Sequence, residues 1–173
     1  MKNVLFKRAA IIIIAAVVMS VSAVAQQQGD KAIGGNMVLS TWSSGGHSYS
    51  YVGFGPKFFY NVTDPIRLVG EFDYFLKKDN VSRWDLSVYG HYLFAASKVV
   101  VYPSVGLGML GWKMDQLVGG PKTTLSGSDF AFSFGGGADY EVSSNLFLST
   151  ELRLKLVNNT NRLNIAVGLA YKF

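Results

Sequence analysis

The sequence contains no cysteine and only four prolines among its 173 residues. Without cysteine, the protein has no disulfide bonds, no thiol chemistry and no lipid anchor on an N-terminal cysteine. Charged residues are also few, at 16%, whereas 49% of the residues are hydrophobic, 14% are aromatic and nineteen are glycine. This composition excludes a disordered chain, and the length suits a single domain with one core.

The positive charge of the chain is concentrated at its N-terminus. The formal net charge is +5, and Lys2, Lys7 and Arg8 supply three of these charges. Residues 26–173 therefore carry only a small positive excess. Because nucleic-acid-binding domains are strongly basic, we expect no nucleic-acid partner.

The first 25 residues have the order of a secretory signal peptide. The basic N-terminus is followed by an apolar run over residues 9–19 and by Ala23-Val24-Ala25, a small-x-small cleavage pattern. A retained membrane anchor is the alternative, but the run is short for a span of about twenty residues. We therefore predict a signal peptide over residues 1–25, with Ala23 and Ala25 at the cleavage site, and one exported domain over residues 26–173.

Residues 26–173 show a hydrophobic period of two, without a convincing helical segment. Every second residue from Leu163 to Phe173 is hydrophobic, and the residues between them are small or polar. This alternation is typical of strands with two different faces. It also runs through residues 66–76, 84–94, 130–142 and 146–156, and less regularly through 31–41, 48–61 and 99–112, which makes eight strands.

The connections between these strands alternate in kind. Three are tight turns, at residues 61–65, 95–98 and 143–145, and they alternate with four connections, at residues 41–47, 77–80, 113–127 and 158–160. An up-and-down barrel with both termini at one end needs three turns there and four loops at the other. The sequence therefore predicts an all-β fold, an eight-stranded antiparallel up-and-down β-barrel.

The two faces of the strands indicate which side of the barrel faces lipid. A soluble lipocalin-like barrel also has one apolar face, but that face points inward. Over the five regular strands the apolar face is bulky and uncharged, whereas the opposite face is rich in Gly, Ala and Ser. Small residues suit the narrow interior of eight strands, so the bulky face is predicted to point outward into a membrane.

Aromatic residues near the strand ends support this orientation, because transmembrane barrels carry an aromatic girdle at each membrane interface. Trp42 and Trp112 are out of phase with the outward face unless a β-bulge intervenes. The predicted girdles consist of Tyr60, Tyr92, Phe94, Tyr140, Tyr171 and Phe173 near the turns, and of Trp42, Tyr74, Trp84 and Trp112 near the loops.

The inward face carries nearly balanced charges, which predicts a paired polar core in the lumen. An unpaired buried charge would cost several kcal/mol, so we expect Glu71 and Glu151 each to lie within salt-bridge distance of a base, Arg153 or Arg83. Position along each strand predicts an upper layer of Glu71, Asp73, Arg83, Asp85, Glu151, Arg153 and Lys155, and a lower layer of Lys57, Arg67, Asp139, Glu141 and Lys172.

The last ten residues end on an aromatic residue, with Leu169, Tyr171 and Phe173 on the hydrophobic face. This segment resembles the C-terminal signal that bacterial outer-membrane barrels present to their assembly machinery. With the signal peptide and eight strands, the chain resembles the small outer-membrane β-barrel family of OmpX and OmpA-domain type. The resemblance implies a monomer in the outer membrane of a Gram-negative bacterium, in contact with outer-membrane lipid and with the assembly machinery.

Two short motifs could carry chemistry but lack the necessary context. Residues 106–111 spell GxGxxG, yet a dinucleotide site requires a following helix, and a polar loop follows here. His47 and His91 are the only histidines, and a metal site requires more ligands at compatible spacing. We therefore predict no cofactor, no metal and no catalytic residue.

Two other functions are compatible with such a barrel. A lipid-modifying enzyme would need a nucleophile, a base and an acid at the rim, for which His47, Asp79 and Ser82 are the candidates. A narrow pore would need an open lumen, whereas eight strands leave space that side chains fill. The favoured prediction is a non-enzymatic scaffold whose loops meet an external partner. The longest loop, 113–127, offers Lys113, Asp115, Leu117, Val118 and Lys122.

Overall fold

The computed structural model describes residues 27–44, 47–78, 80–116, 123–158 and 160–173. The predicted signal peptide, with Ala23 and Ala25, lies outside this part of the chain. No helix within the described part is long and apolar enough to cross a membrane. The strands are β1 (Lys31–Ser44), β2 (His47–Asn61), β3 (Ile66–Lys78), β4 (Val81–Tyr92), β5 (Phe94–Ala96), β6 (Val99–Gln116), β7 (Thr123–Ser143), β8 (Leu146–Val157) and β9 (Thr160–Lys172).

Strands β4 and β5 together form a single strand of the barrel wall, and each strand position around the wall is called a stave here. Both pair with β6 in the same register, in which His91 lies opposite Ser104 and Phe94 lies opposite Val101. The pairing is interrupted at Leu93, whose backbone N–H donates a hydrogen bond of 2.7 Å to the carbonyl of Pro65. The barrel therefore has eight staves, as predicted.

The staves form one closed sheet in which neighbours in sequence are neighbours in space. Closure comes from β1, which pairs with β9 as well as β2, and every pairing is antiparallel. The tight turns lie at the end that also holds Gln27 and Phe173, here called the turn end, and the remaining connections lie at the loop end. This confirms the predicted eight-stranded up-and-down barrel.

The strands are strongly tilted relative to the barrel axis. The register can be followed once around the wall from Ala32 through Phe59, Val69, Tyr89, Gly106, Ser133, Lys155 and Arg162, and it arrives at Trp42, ten residues further along β1. A stagger of this kind is the condition for closing a barrel with tilted strands. Two residues at the same position along their strands can therefore lie at different heights in the lumen.

The two faces of the wall differ as the alternation predicted. Along β9, Leu163, Ile165, Val167 and Leu169 are exposed on the outer surface, and the residues between them are buried. Phe132 on β7 and Leu152 on β8 are likewise exposed. An uncharged apolar band on the outside is the surface that a hydrocarbon environment requires.

Trp42 and Trp112 do not belong to the outer girdle. Trp42 is only 8% exposed and contacts the lumenal ring of Tyr51. Trp112 is half-buried and has the same inward phase as Tyr102, because the register of β6 with β7 is unbroken. No bulge turns either side chain outward, so both fill the upper lumen, and the prediction of their place in the girdle was wrong.

Glycines make room for large lumenal side chains on the neighbouring strand. Gly53 lies opposite Phe75, Gly106 opposite Tyr89, and Gly137 opposite Tyr102. A Cβ at Gly137 would lie 2.5 Å from the backbone oxygen of Thr150 and 2.8 Å from both Cζ of Tyr102 and Cγ of Glu151. Glycine is therefore required there by the close approach of the β8 backbone as well as of the two side chains.

We expect Gly137→Ala to reduce the free energy of unfolding by about 1–3 kcal/mol, because the extra methyl group overpacks the lumen. Gly70→Ala is the matched control, since a Cβ at Gly70 has no heavy atom within 4 Å. Urea unfolding in lipid vesicles measures both changes. Equal stability of the two variants would show that Thr150 and Tyr102 are not held against Gly137.

We expect Phe132→Arg, in the middle of the outer surface of β7, to destabilise the protein by about 2–4 kcal/mol in a bilayer. Ser128→Arg lies on the same strand and face, at the level where Gly111 pairs with the interfacial Trp84, and its cost should be about 0–1 kcal/mol. The free energy of unfolding is measured in vesicles made from lipids of increasing acyl-chain length. A cost for Phe132→Arg no larger than that for Ser128→Arg would contradict the outward assignment of β7.

Candidate functional site in the barrel interior

Charged side chains fill the middle of the lumen. Of the twelve charges predicted for the core, nine are buried in the structure: Lys57, Arg67, Glu71, Asp73, Asp85, Asp139, Glu151, Arg153 and Lys155. Each is on an inward-facing position of its strand, where the wall excludes water and lipid alike. Such charges must satisfy one another, because unpaired burial is costly.

Four of these residues form a central cluster, defined here as Lys57, Glu71, Glu151 and Arg153. Lys57 Nζ lies 3.0 Å from Glu71 Oε2 and 2.7 Å from Glu151 Oε1. Arg153 Nη2 donates to both oxygens of Glu71 at 2.9 Å, and Arg153 Nε lies 3.1 Å from Glu151 Oε2. Both glutamates therefore lie within ion-pair distance of Arg153, and neither contacts Arg83 in this way.

The central cluster spans the lumen from wall to wall. Glu71 is on β3 and Arg153 is on β8, which are four staves apart in either direction around the barrel. Lys57 on β2 and Glu151 on β8 are likewise not on adjacent strands. These ion pairs act as cross-braces between opposite walls.

Lys57 was placed in the lower layer by its position along β2, and this was wrong. The register puts Lys57 directly opposite Glu71 on the neighbouring strand. Because the strands are tilted and staggered, its distance from the turn does not give its height. The ammonium group therefore belongs to the central cluster and neutralises both glutamates.

A second group of contacts lies beside the central cluster. Lys155 forms an ion pair with Asp85 and lies 3.1 Å from Ser87 Oγ, which itself donates to Asp85 Oδ1 at 2.6 Å. Asn36 Nδ2 donates to Asp73 Oδ1 at 3.0 Å, whereas Asp73 Oδ2 is buried without a hydrogen-bond partner. Asp73 thus depends on an amide rather than on a base.

The lower lumen is organised around Arg67. Its Nη1 donates to Asp139 Oδ2 at 2.7 Å, and its Nη2 lies 3.2 Å from His91 Nδ1. The guanidinium carbon lies 5.1 Å from the ring centre of Phe59 and 4.8 Å from that of Tyr102. Cation–π contacts and an ion pair together compensate the charge of a guanidinium group that is only 1% exposed.

Tyr102 connects the lower lumen to the central cluster. Its hydroxyl lies 3.0 Å from Asp139 Oδ1 and 3.3 Å from Glu151 Oε1, and its single proton serves one acceptor at a time. Its ring stacks on His91 with centres 4.3 Å apart. The alternation of β6 places this side chain in the lumen, but nothing in the sequence indicates which carboxylates it reaches.

Three predicted core residues lie elsewhere. Glu141 and Lys172 are only partly buried at the turn end, where Lys172 pairs with Asp30 at 3.2 Å. Both residues belong to the rim because the wall ends there. Arg83 is half-buried near the loop end and stacks over Tyr51 with its guanidinium carbon 4.2 Å from the ring centre. Arg83 therefore lies in the upper lumen as predicted, but Arg153 and Lys57 pair with the two glutamates instead.

The interior leaves little free volume at the turn end. Two recesses there measure about 30 and 10 Å³ and are lined in part by Phe147 and Lys172. A water needs roughly 10–15 Å³, so these recesses have room for one or two waters but not for a larger solute. Together with the cross-braces above them, they describe a filled lumen in this part of the barrel.

The structure describes only some of the residues considered for metal binding, dinucleotide binding and catalysis at the rim. Within the described residues, no group of three His, Asp or Glu side chains is arranged to hold a metal ion. Gly106 to Gly111 lie inside β6 with no helix after them, which excludes the dinucleotide motif. Asp79 and the side chain of His47 lie outside the described residues, and Ser82 is half-buried on β4.

We expect Arg153→Met to destabilise the barrel by about 3–5 kcal/mol, because it leaves Glu71 and Glu151 with only Lys57 as a base. Adding Glu71→Gln should recover part of the loss, since the uncompensated carboxylate is then removed. Lys172→Met is the control, and its partly exposed ion pair should contribute less than about 1 kcal/mol. Denaturant titrations of the original protein, of the single variants Arg153→Met, Glu71→Gln and Lys172→Met, and of the double variant provide the comparison. Additive effects of Arg153→Met and Glu71→Gln would contradict the cross-brace.

Known proteins share this architecture. The family model for the outer membrane protein beta-barrel domain matches residues 11–173. The structure of Neisserial surface protein A superposes with a TM-score of 0.70 at 17% identity, covering 84% of this chain and 100% of that protein. No curated protein matches the sequence.

Two further solved barrels have the same fold. Ail, the attachment invasion locus protein of Yersinia pestis, gives a TM-score of 0.65 at 16% identity, covering 85% of this chain and 100% of Ail. The N-terminal β-barrel domain of OprF from Pseudomonas aeruginosa gives 0.60 at 16% identity, covering 86% and 100%. These likenesses show a shared fold, and the family match covers the whole barrel. The chain therefore belongs to the outer-membrane β-barrel protein family.

Proposed function

We propose that the protein is a non-enzymatic scaffold in the outer membrane that displays its loop end to partners outside the cell. The observation that supports this proposal most strongly is the contrast between its two ends. The lumen is cross-braced by Arg153 and Glu71, whereas two strands continue past the loop-end rim. A rigid frame that carries a projecting element is the usual arrangement of a binding surface.

The projecting element is the hairpin of β6 and β7. The pairing of β6 with β4 stops at Met114, and the pairing of β7 with β8 stops at Ala131, but β6 and β7 remain paired up to Gln116 and Thr123. Over residues 123–130, β7 therefore pairs with β6 alone among the described strands.

The predicted loop 113–127 is thus shorter than expected, because strand pairing occupies both of its ends. Lys113 is exposed on β6, whereas Leu117, Val118 and Lys122 lie outside the described residues. Leu125 on β7, beyond the level of Ser128, is 46% exposed. An extended strand with one unpaired edge and an exposed apolar side chain suits a partner that adds a strand or packs on the hairpin.

The proposal also covers the contacts of the barrel with lipid and with the assembly machinery. Its outer band suits direct contact with outer-membrane lipid as a monomer, and its C-terminal residues suit recognition by the assembly machinery after export through the periplasm. A lipid-modifying activity at the rim is the opposing hypothesis. Incubating the refolded protein with radiolabelled phospholipid and lipopolysaccharide separates the two, and hydrolysis or acyl transfer would contradict the scaffold.

We expect an epitope tag inserted after Val118 to be accessible to antibody on intact cells, because the hairpin points outward in this proposal. The same tag inserted between Ser144 and Asn145, in a tight turn at the opposite end, should be accessible only after the outer membrane is permeabilised. Flow cytometry provides the measurement. Accessibility of the turn tag alone would reverse the proposed orientation.

We expect Phe173→Glu to impair assembly in cells more than refolding in detergent. Phe173 is 65% exposed at the end of the last strand, so it contributes little packing to the folded barrel. Leu125→Glu changes an exposed apolar residue beyond the loop-end rim and serves as the control. The folded fraction follows from heat-modifiable migration. Equal losses in cells and in detergent would assign Phe173 a packing role instead of recognition.

A further inference from the structure

The loop-end opening of the lumen is lined by cations that stack on aromatic rings. We define this mouth cluster as Trp42, Tyr51, Lys78, Arg83 and Arg162. The rings of Trp42 and Tyr51 are stacked with centres 4.6 Å apart and an interplanar angle of 5°. The cluster is not part of the carboxylate network below it.

The cations surround this pair of rings. The guanidinium carbon of Arg83 lies 4.8 Å from the ring centre of Trp42, and that of Arg162 lies 4.7 Å from the same ring. Lys78 Nζ lies 5.6 Å from the ring centre of Tyr51. Two guanidinium groups therefore share one indole ring at the opening.

Neither arginine has a carboxylate partner among the described residues. Arg83 Nη1 and Arg162 Nε are buried nitrogen atoms without a hydrogen-bond partner. Among the described residues, the carboxylates that act on Arg162 are Asp85 and Asp129, and Asp85 is already paired with Lys155. The rings compensate the charge only from their faces, so these two N–H donors are unsatisfied, although both arginines are only half-buried as whole residues.

Two guanidinium groups that stack on one indole ring and carry unsatisfied donors are suited to the oxygens of a tetrahedral oxyanion. Arginine binds phosphate and sulfate through paired N–H donors, and partial exclusion of water strengthens each of these bonds. Arg83 and Arg162 occupy inward-facing positions, opposite Phe75 and Trp42 in the register. The barrel wall therefore separates them from lipid headgroups, and a ligand reaches them from the aqueous side.

We propose that the mouth cluster binds a phosphate or sulfate group of a soluble anionic molecule that approaches the barrel from outside. Arg83 and Arg162 hold the oxyanion, Lys78 adds charge at the entrance, and Trp42 and Tyr51 fix the orientation of the two guanidinium groups. The site differs from the proposed β6–β7 hairpin surface in residues and in chemistry, so either one can fail without the other.

The test uses inositol hexakisphosphate as a multivalent probe, with uncharged myo-inositol as its control. Isothermal titration calorimetry with the refolded protein in zwitterionic micelles should show binding of the first compound only. Arg83→Gln combined with Arg162→Gln should weaken this binding at least roughly tenfold, because each substitution removes charged hydrogen bonds. Binding should also weaken steeply as salt increases.

Lys113→Gln is the matched control, because it removes an exposed cation near the same rim. Lys113 is on β6, opposite Ser82 of β4 in the strand register. The substitution should leave the affinity within about threefold, as expected for a screened surface charge. If the double variant does not refold, Arg162→Gln alone is titrated, and heat-modifiable migration verifies the barrel in each case.

Three results would overturn the proposal. They are the absence of binding by the original protein, unchanged binding by the folded arginine variant, and an equal loss for Lys113→Gln, which would indicate general surface charge. A lipid source is tested by repeating the titration in vesicles that contain lipopolysaccharide. Occupation of the site by lipid phosphates would abolish binding of the probe there, and this would contradict a soluble ligand.

Discussion

Opposite charges that meet across a narrow lumen are the interaction on which the rest of this barrel depends. Arg153 reaches Glu71 and Lys57 reaches Glu151 across the lumen, and the four side chains are almost completely buried. The outer surface faces hydrocarbon and cannot carry charge, so the interior is the one place where the wall can hold polar side chains. Their mutual attraction offsets the desolvation cost of burying these charges in a filled interior.

The packing of the lumen follows from this constraint. Long charged side chains and the aromatic rings that support them occupy most of the width, so the facing strand must present small residues. Tyr89 illustrates the arrangement, since Arg153 stacks over its ring and Gly106 lies opposite it on β6. Glycine in these strands is therefore a consequence of the charges, although glycine alone weakens a strand.

The sequence predicts much of this arrangement because the side-chain period of a strand is two. Which residues face inward, including Glu71, Arg153 and Tyr102, follows from the alternation, and so does the number of strands. The height of a residue does not follow from it, as Lys57 shows, because closure staggers the strands by an amount that depends on the register of all eight. Trp42 was misplaced for a related reason: a girdle was inferred from residue type, whereas its phase already pointed to the lumen.

The ends of the barrel were predicted less well than its middle. Glycine and polar residues around Lys113 and Gly127 indicated a loop, yet β6 and β7 stay paired there because each supplies the other with backbone partners beyond the rim. At the loop end the lumen changes from paired charges to cations stacked on rings. That change requires Trp42 and Tyr51 to lie side by side, which depends on the pairing of β1 with β2.

The central claim is that ion pairs across the lumen block it to the passage of ions. Single-channel recording of the refolded protein in planar bilayers tests it most directly, with Arg153→Met combined with Glu71→Gln as the comparison. The account predicts no steady conductance for the original protein and measurable, salt-dependent openings for the double variant that lacks the brace. A steady conductance of the original protein, unchanged in the variant, would contradict the account.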